Sequence, residues 1–405
     1  MVATFEQALS IVREKLTAAS ARPPVESLPL EQVRSRVLAE EAKADRDYPP
    51  FHRSTRDGYA VRSGEVATVP VILQCVGQAR AGEPYRGPLT GRTCCCVQIM
   101  TGAPLPETTD AVVMIEHTRA HADRVEVLSS VVPFENVVRR GSEAPAGGVV
   151  LPRGRRLGAG EIGLLASVGQ ARVSVFGQPT VAILPTGDEV VPVEHKPEWF
   201  QIRNSNSLTL AAQVAGAGGV PIPLGIAPDE VRALRQLIEQ GLEGNLLLLS
   251  GGVSVGKYDL VAQVLRELGA EFYFHGVAIR PGKPVAFGRV CNRFFFGLPG
   301  NPVSTFVTFE LFVRPAIAML SGANFEGPLF LRARLGQPLR QKTGLTAFMP
   351  ARGELESGDP VVNLVGWQGS GDLVGVAAAN CFLVVHPQQT ELAVGDWVDV
   401  LQKPI

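Results

Sequence analysis

Leu246 to Asp259 reads LLLLSGGVSVGKYD, and this stretch decides the fold. Four consecutive leucines have no polar face, which is the signature of a strand buried on both sides in a parallel sheet. The strand runs directly into a loop with three glycines, two serines, a lysine and an aspartate. A doubly wound α/β domain presents its ligand site in this way, at the carboxyl end of a strand. Gly251, Gly252 and Gly256 let backbone N–H groups approach an anion closely. Ser254 adds a hydroxyl, Lys257 a positive charge, and Asp259 a carboxylate suited to a hard cation such as magnesium. Gly251, Gly256 and Lys257 also imitate the phosphate loop of nucleotide hydrolases. That loop needs Ser or Thr at the next position to ligate magnesium, and Tyr258 stands there instead.

Outward from this strand, residues 180–320 alternate strand and helix. VAILPTGDEV is a strand entering a polar loop, SLTLAAQVAGAGG is helical, and a helix is expected from Asp229 to Gln240 after Pro228. A helix over Leu260–Leu268 and a strand over EFYFHGVAI follow, then strands PVAFGRV and RFFFGLPG. NPVSTFVTFELFVRPAIAML reads as a long apolar helix with Pro302 at its favoured first position. Upstream, Phe5, Ala8, Leu9, Val12 and Leu16 have helical spacing, and a second short helix is expected near Leu30–Val37. Between Val66 and Val138, VPVILQCVGQA, DAVVMIEHTRA and RVEVLSSVV form a small β domain, and AGEIGLLASVG then returns to helix. Beyond Ser321, LFLRARLG, LTAFMPARG, DPVVNLVGW, NCFLVVHP and DWVDVLQ are short strands of a small C-terminal barrel or sandwich. The expected layout is a helical subdomain (1–44 with 140–178), an inserted β domain (45–139), the α/β domain (179–322) and a C-terminal β barrel (323–405).

A chain of 405 residues exceeds one core, in keeping with several domains. A net charge of −1 gives no bulk attraction to nucleic acid or anionic membrane, so neither is an expected partner and any anion site is local. The first residues, MVATFEQALSIVREKL, lack the basic-then-apolar order of a signal peptide, and no run looks long enough to span a bilayer, so the cytoplasm is expected. Cys94, Cys95 and Cys96 are consecutive, so on a strand they cannot all ligate one metal and read as small buried hydrophobes.

Three further loops join the glycine-rich one at strand ends. Pro185-Thr186-Gly187-Asp188-Glu189 places adjacent acids beside a glycine, a pairing that a shared cation would relieve. Arg280-Pro281-Gly282-Lys283-Pro284 offers two positive charges to a phosphate or an oxyanion such as molybdate. Leu298-Pro299-Gly300-Asn301-Pro302 leads into a helix N-terminus with free N–H groups. Asn204 and Asn206 flank a serine before a helix, where capping explains one of them, and Asp229 begins another helix.

DGYA, MTGAPLP, DAVV, PTGDEV, SGGVSVGKYD, RPGKP and GLPGNP occur in that order, followed by Gly369-Ser370-Gly371 and Ala379-Asn380. The ensemble spans nearly the whole chain and resembles the molybdopterin molybdenumtransferases, the bacterial MoeA family and the related gephyrin E domain. The resemblance implies four subdomains, including a helical dimerisation segment, and an elongated homodimer. Its active site would lie between the α/β domain of one subunit and the N-terminal β domain of the other. It implies adenylylated molybdopterin and molybdate as substrates, magnesium as cofactor, and release of AMP. Matching positions are Asp57, Thr101, Glu189, Asp229 and Asp259 as catalytic residues, with Glu189 and Asp259 on the metal. Gly251, Gly252, Ser254, Lys257, Arg280, Lys283, Pro299, Pro302 and Ser370 are the expected substrate contacts. One departure stands out: the usual Gly-Glu-Asp-Ile is Gly141-Ser142-Glu143-Ala144 here. Two other functions fit the same residues: a molybdopterin adenylyltransferase, which is also a possible partner enzyme, and a gephyrin-like scaffold without catalysis.

Overall fold

The computed structural model describes residues 2–19, 23–252, 260–342 and 344–403. Its centre is a six-stranded sheet of β1 (Thr180–Pro185), β2 (Val220–Pro223), β3 (Leu246–Ser250), β4 (Glu271–His275), β5 (Ala286–Val290) and β6 (Arg293–Leu298), in spatial order β2-β1-β3-β6-β5-β4. The first four in that order are parallel, and β5 runs antiparallel to both β6 and β4. Helices α1 (Ser205–Gly216), α2 (Val231–Gly241) and α3 (Leu260–Glu267) make the crossovers.

The leucine strand is β3, and each of Leu246–Leu249 is fully buried. Leu246 and Leu248 face one core, while Leu247 and Leu249 face another on the opposite side of the sheet. Burial of each such side chain stabilises the fold by about 1.5–3 kcal/mol. Chain order reverses between β1 and β3, since β2 lies on one side of β1 and β3 on the other. That reversal opens a crevice at the carboxyl ends of these two strands.

Contrary to the expectation that no run is long enough to span a bilayer, the apolar helix Pro302–Leu320 is long and apolar enough to cross one, yet 78% of it is buried inside the protein. It is a core helix. It widens to a π turn over Phe309–Val313, where the Arg314 N–H bonds the Phe309 carbonyl. Pro315 follows immediately. A proline has no N–H for an ordinary helical bond, and the wider turn accommodates that loss. Glu310 is buried on this turn and held by Arg314 and by Gln213 Nε2 at 2.7 Å. The N-terminal helix, Phe5–Ala18, starts with a capping box on Thr4 and buries Phe5, Ala8, Val12 and Leu16 in the same core.

Two β regions flank this centre. Six strands form the N-terminal sheet, in order 111–114, 58–61, 95–99, 71–79, 124–127 and 118–121. Strands 330–335, 346–356, 359–364, 381–385 and 397–402 close into a small barrel, because strand 346–356 pairs with both 359–364 and 381–385. Pairing of Val25–Pro29 with Arg172–Phe176 and of Ala42–Lys43 with Val149–Leu151 ties the chain before the N-terminal sheet to the chain after it.

Four local expectations fail for physical reasons. Leu30–Gln32 is only a single 3-10 turn, and the expected helix near Leu30–Val37 does not continue, because Val37 and Leu38 bridge to Arg156 and Val175. EFYFHGVAI is not one strand: Gly276 has φ of 99°, and Ile279–Arg280 pairs instead with Thr346–Ala347 of the barrel. The helix expected from Asp229 begins at Val231, which leaves Asp229 in the preceding loop. Cys95 and Cys96 are buried as expected, but Cys94 is exposed at a turn with φ of 54°.

Candidate active site

The crevice at the chain reversal is a cleft of about 430 Å³. Its walls come from the β1 loop (Pro185, Thr186, Gly187, Glu189), the β3 loop (Ser250, Gly251, Gly252) and the entry to the apolar helix (Gly300, Asn301, Pro302). Three loops that are distant in sequence meet here because β1, β3 and β6 are adjacent and parallel, so their carboxyl ends share one edge.

The backbone fits tightly. Gly251 has φ of 94°, and a Cβ there would lie 2.8 Å from the Thr186 carbonyl oxygen. At Gly252 a Cβ would lie 2.7 Å from Val261 Cγ2. Gly187 has φ of 134°, and the Glu189 carboxylate comes within 2.6 Å of where its Cβ would be. Glycine is therefore required on both loops: any side chain would fill the space where backbone and carboxylate converge.

Asn206, on the first turn of α1, joins two walls. Its Nδ2 donates to Ser250 Oγ and to the Gly300 carbonyl, each at 2.8 Å. Asn204 is the cap of that helix, accepting from the Ser207 N–H at 3.1 Å. Arg203, also in the wall, donates to the Val193 carbonyl at 3.0 Å and adds a positive charge. Thr186 is 5% exposed, and its hydroxyl has no hydrogen-bond partner among the described residues. A buried hydroxyl in a cleft wall is a donor awaiting a ligand or a water.

The acids gather at one side. Glu189 and Asp229 line the cleft, and the Asp229 N–H donates to the Asp188 carboxylate at 3.0 Å. Asp229 stands at the exposed rim. Partial loss of solvation, then the charge of Asp188, and more weakly that of Glu189, raise its pKa above the ordinary carboxylate value.

The remaining sequence candidates are distributed as follows. Pro302 lines the cleft, and the Pro299 carbonyl accepts from the Thr305 hydroxyl one turn into the helix. Ser370 reaches the same helix entry from the C-terminal region, its carbonyl accepting the Val303 N–H at 2.9 Å. Arg280 and Lys283 are exposed and are not among the lining residues. Their loop does reach the same sheet edge, since Ala286 pairs with Gly297 next to it and a Cβ on Gly282 would lie 2.5 Å from Thr308 Cγ2. Ser254, Lys257 and Asp259 lie outside the described residues. Asp57 and Thr101 meet each other on the N-terminal β domain, away from the lining: the Thr101 N–H and hydroxyl both donate to Asp57 Oδ1, at 2.6 and 2.8 Å. These bonds, the backbone one first, hold the Asp57 carboxyl below its ordinary value. Glu143, in the departing Gly-Ser-Glu-Ala run, pairs with Arg53 at 2.9 Å.

Sequence reasoning did not single out Arg203 as a wall residue and treated Asn206 as one of two capping candidates. The spacing of Asn204 and Asn206 carried a signal, since one cap leaves the second asparagine unexplained.

Three family profiles cover the chain: MoeA N-terminal region (domain I and II) over residues 3–169, probable molybdopterin binding domain over 182–319, and MoeA C-terminal region (domain IV) over 332–403. The chain belongs to the MoeA family. It is 35% identical to the molybdopterin molybdenumtransferase of Haemophilus influenzae, over 98% of each chain. It is 36% identical to that of a Nostoc species, covering 91% of this chain and 87% of the relative. A MoeA protein structure from Pyrococcus horikoshii superposes with a TM-score of 0.73 at 32% identity, covering 99% of each chain. A second structure from that organism has a TM-score of 0.81 at 26% identity and covers 100% of each chain. The cleft of this MoeA chain lies wholly within the span of the probable molybdopterin binding domain.

Proposed function

We propose that this cleft takes adenylylated molybdopterin, places molybdenum from molybdate on the dithiolene sulfurs, and releases AMP. Membership of the MoeA family makes the chain a transferase of molybdenum-cofactor synthesis, acting in molybdenum insertion. The finer reading is carried by one observation: acids, glycine N–H groups and a helix N-terminus converge on one cleft at the chain reversal.

Opening a phosphoanhydride demands neutralisation of charge on the phosphate oxygens more than a protein nucleophile. Glycine N–H groups at 251 and 252 and the positive end of the Pro302 helix are suited to those oxygens. Arg203 offers a guanidinium to the same phosphates.

Among the described residues no three His, Cys, Asp or Glu side chains converge as a closed metal cage. Magnesium needs none: it keeps several waters and takes one or two carboxylates plus substrate phosphates. Glu189, with its repelling neighbours Asp188 and Asp229, fits that donor set, and Asp259 of the sequence motif would complete it. When bound, the metal would supply positive charge that offsets the negative charge of the phosphates, with Glu189 as its holder from this chain. Molybdate is a tetrahedral dianion, for which Arg280, Lys283 and the Ser370 hydroxyl at the same edge are the proposed contacts. In a homodimer the Asp57–Thr101 pair of a second copy would complete the cleft.

The test is AMP release by the purified protein from adenylylated molybdopterin with magnesium, with and without molybdate. Molybdate-dependent AMP supports the reading. Pyrophosphate release from ATP with molybdopterin would replace it with adenylyl transfer, and binding without turnover would leave the scaffold.

A further inference from the structure

A second cavity, of about 1030 Å³, lies at the opposite edge of the central sheet. Pro179, Asn245 and Arg293, at the amino ends of β1, β3 and β6, line it together with the end of the N-terminal helix. Strands of five to six residues separate it from the catalytic cleft by roughly 17–20 Å, at ~3.3 Å per residue. Open α/β sheets bind substrate at the carboxyl edge, so this amino-edge cavity has no part in that chemistry.

Its chemistry is one-sided. Arg13, Arg153, Arg289 and Arg293 all line it, and no Asp or Glu among the described residues does. None of the four forms an ion pair among the described residues, whereas the chain as a whole has a net charge of −1. Arg13 and Arg153 lie over the rings of Phe325 and Phe176 instead, at 5.8 and 5.1 Å. Arg289 has one guanidinium nitrogen on Asn292 Oδ1 at 3.0 Å and also interacts with the Tyr273 hydroxyl, but its buried Nε has no hydrogen-bond partner among the described residues. Four arginines around one hollow repel each other, and an unpaired buried N–H costs stability, so the arrangement is built for an anion. Guanidinium forks match phosphate geometry bidentately, and four of them exceed what a single phosphate requires.

We propose that this cavity is a second ligand site, taking a polyphosphate group either free or as part of a nucleotide. It is independent of the reading of the catalytic cleft.

Isothermal titration calorimetry with tripolyphosphate, in the absence of divalent cations, tests it on the full chain. Expected is a binding event that weakens about tenfold or more in Arg153→Glu/Arg293→Glu and in Arg13→Glu, and persists in Arg203→Ala of the cleft. Arg13 is exposed on the N-terminal helix, so its variant keeps the test valid if the double variant does not fold. Tighter binding of ATP than of tripolyphosphate assigns the nucleotide source, and equal binding assigns free polyphosphate; both support the site. No binding, or binding lost in Arg203→Ala and untouched by the arginine reversals, overturns it.

Discussion

Two carboxylates of this chain are pushed in opposite directions by their surroundings. Asp57 accepts two bonds from Thr101, and its pKa falls. Thr101→Val removes the hydroxyl and keeps the N–H, so the Asp57 pKa rises partway back, which carboxyl-carbon NMR titration reads directly. The sign for stability follows. A depressed folded-state pKa contributes stability above the ordinary carboxylate range, and that contribution is lost as pH falls through the depressed value. The variant's deficit relative to wild type is therefore largest near neutrality and shrinks in acid. Asp229 is the reverse case, raised first by lost solvation and then by Asp188. Its penalty is absent in acid and sets in as pH rises through the raised value, where a bound cation relieves it. Magnesium is thus expected to raise Tm more at pH 7 than at pH 4 in differential scanning calorimetry. Asp188→Asn is expected to lower the Asp229 pKa. Equal Tm gains at both pH values would count against an acid-lined magnesium site.

At the scale of elements, the cleft depends on how closely three loops approach. Gly251→Ala adds a Cβ 2.8 Å from the Thr186 carbonyl at a φ of 94°. The expected cost is about 1–3 kcal/mol of stability, measured by urea unfolding, with activity falling further because the loop must shift. Asn206→Ala removes two hydrogen bonds, each worth about 0.5–1.5 kcal/mol, and leaves Ser250 and Gly300 unpinned. A rise in KM larger than the fall in kcat would show that Asn206 positions loops and takes no part in chemistry. The glycine loops were legible in sequence because glycine, proline and charge at strand ends have few other uses. Asn206 was less so, because a helix cap and a loop tie use the same residue type and only tertiary neighbours separate them. Ile279–Arg280 misled for a similar reason. Its residues suit a strand, and which sheet it joins was fixed by the turn at Gly276 and by a barrel strand some 70 residues later.

For the whole molecule, Asp57–Thr101 lies apart from the cleft, and the proposed function needs both to serve one reaction. The family resemblance implies a site built from the α/β domain of one subunit and the N-terminal β domain of the other, and the distance between the two within this chain agrees with that arrangement without requiring it. In a symmetric dimer, the β domain of one copy can complete the cleft of the other, and each interface then generates two equivalent sites. Complementation decides it. Asp57→Ala and Glu189→Ala chains are each expected to be inactive alone. If sites are shared between subunits, a mixed dimer holds one doubly damaged site and one intact site. The isolated mixed dimer then carries about half of wild-type activity, and the unseparated random mixture, in which half the dimers are mixed, about a quarter. If each site is built within one chain, every site in every dimer carries one lesion and activity stays absent. Co-expression with two affinity tags, isolation of the mixed dimer and assay of molybdate-dependent AMP release therefore distinguish the two arrangements. A mixed dimer with no activity would confine catalysis to a single chain and require the N-terminal β domain to swing onto its own cleft.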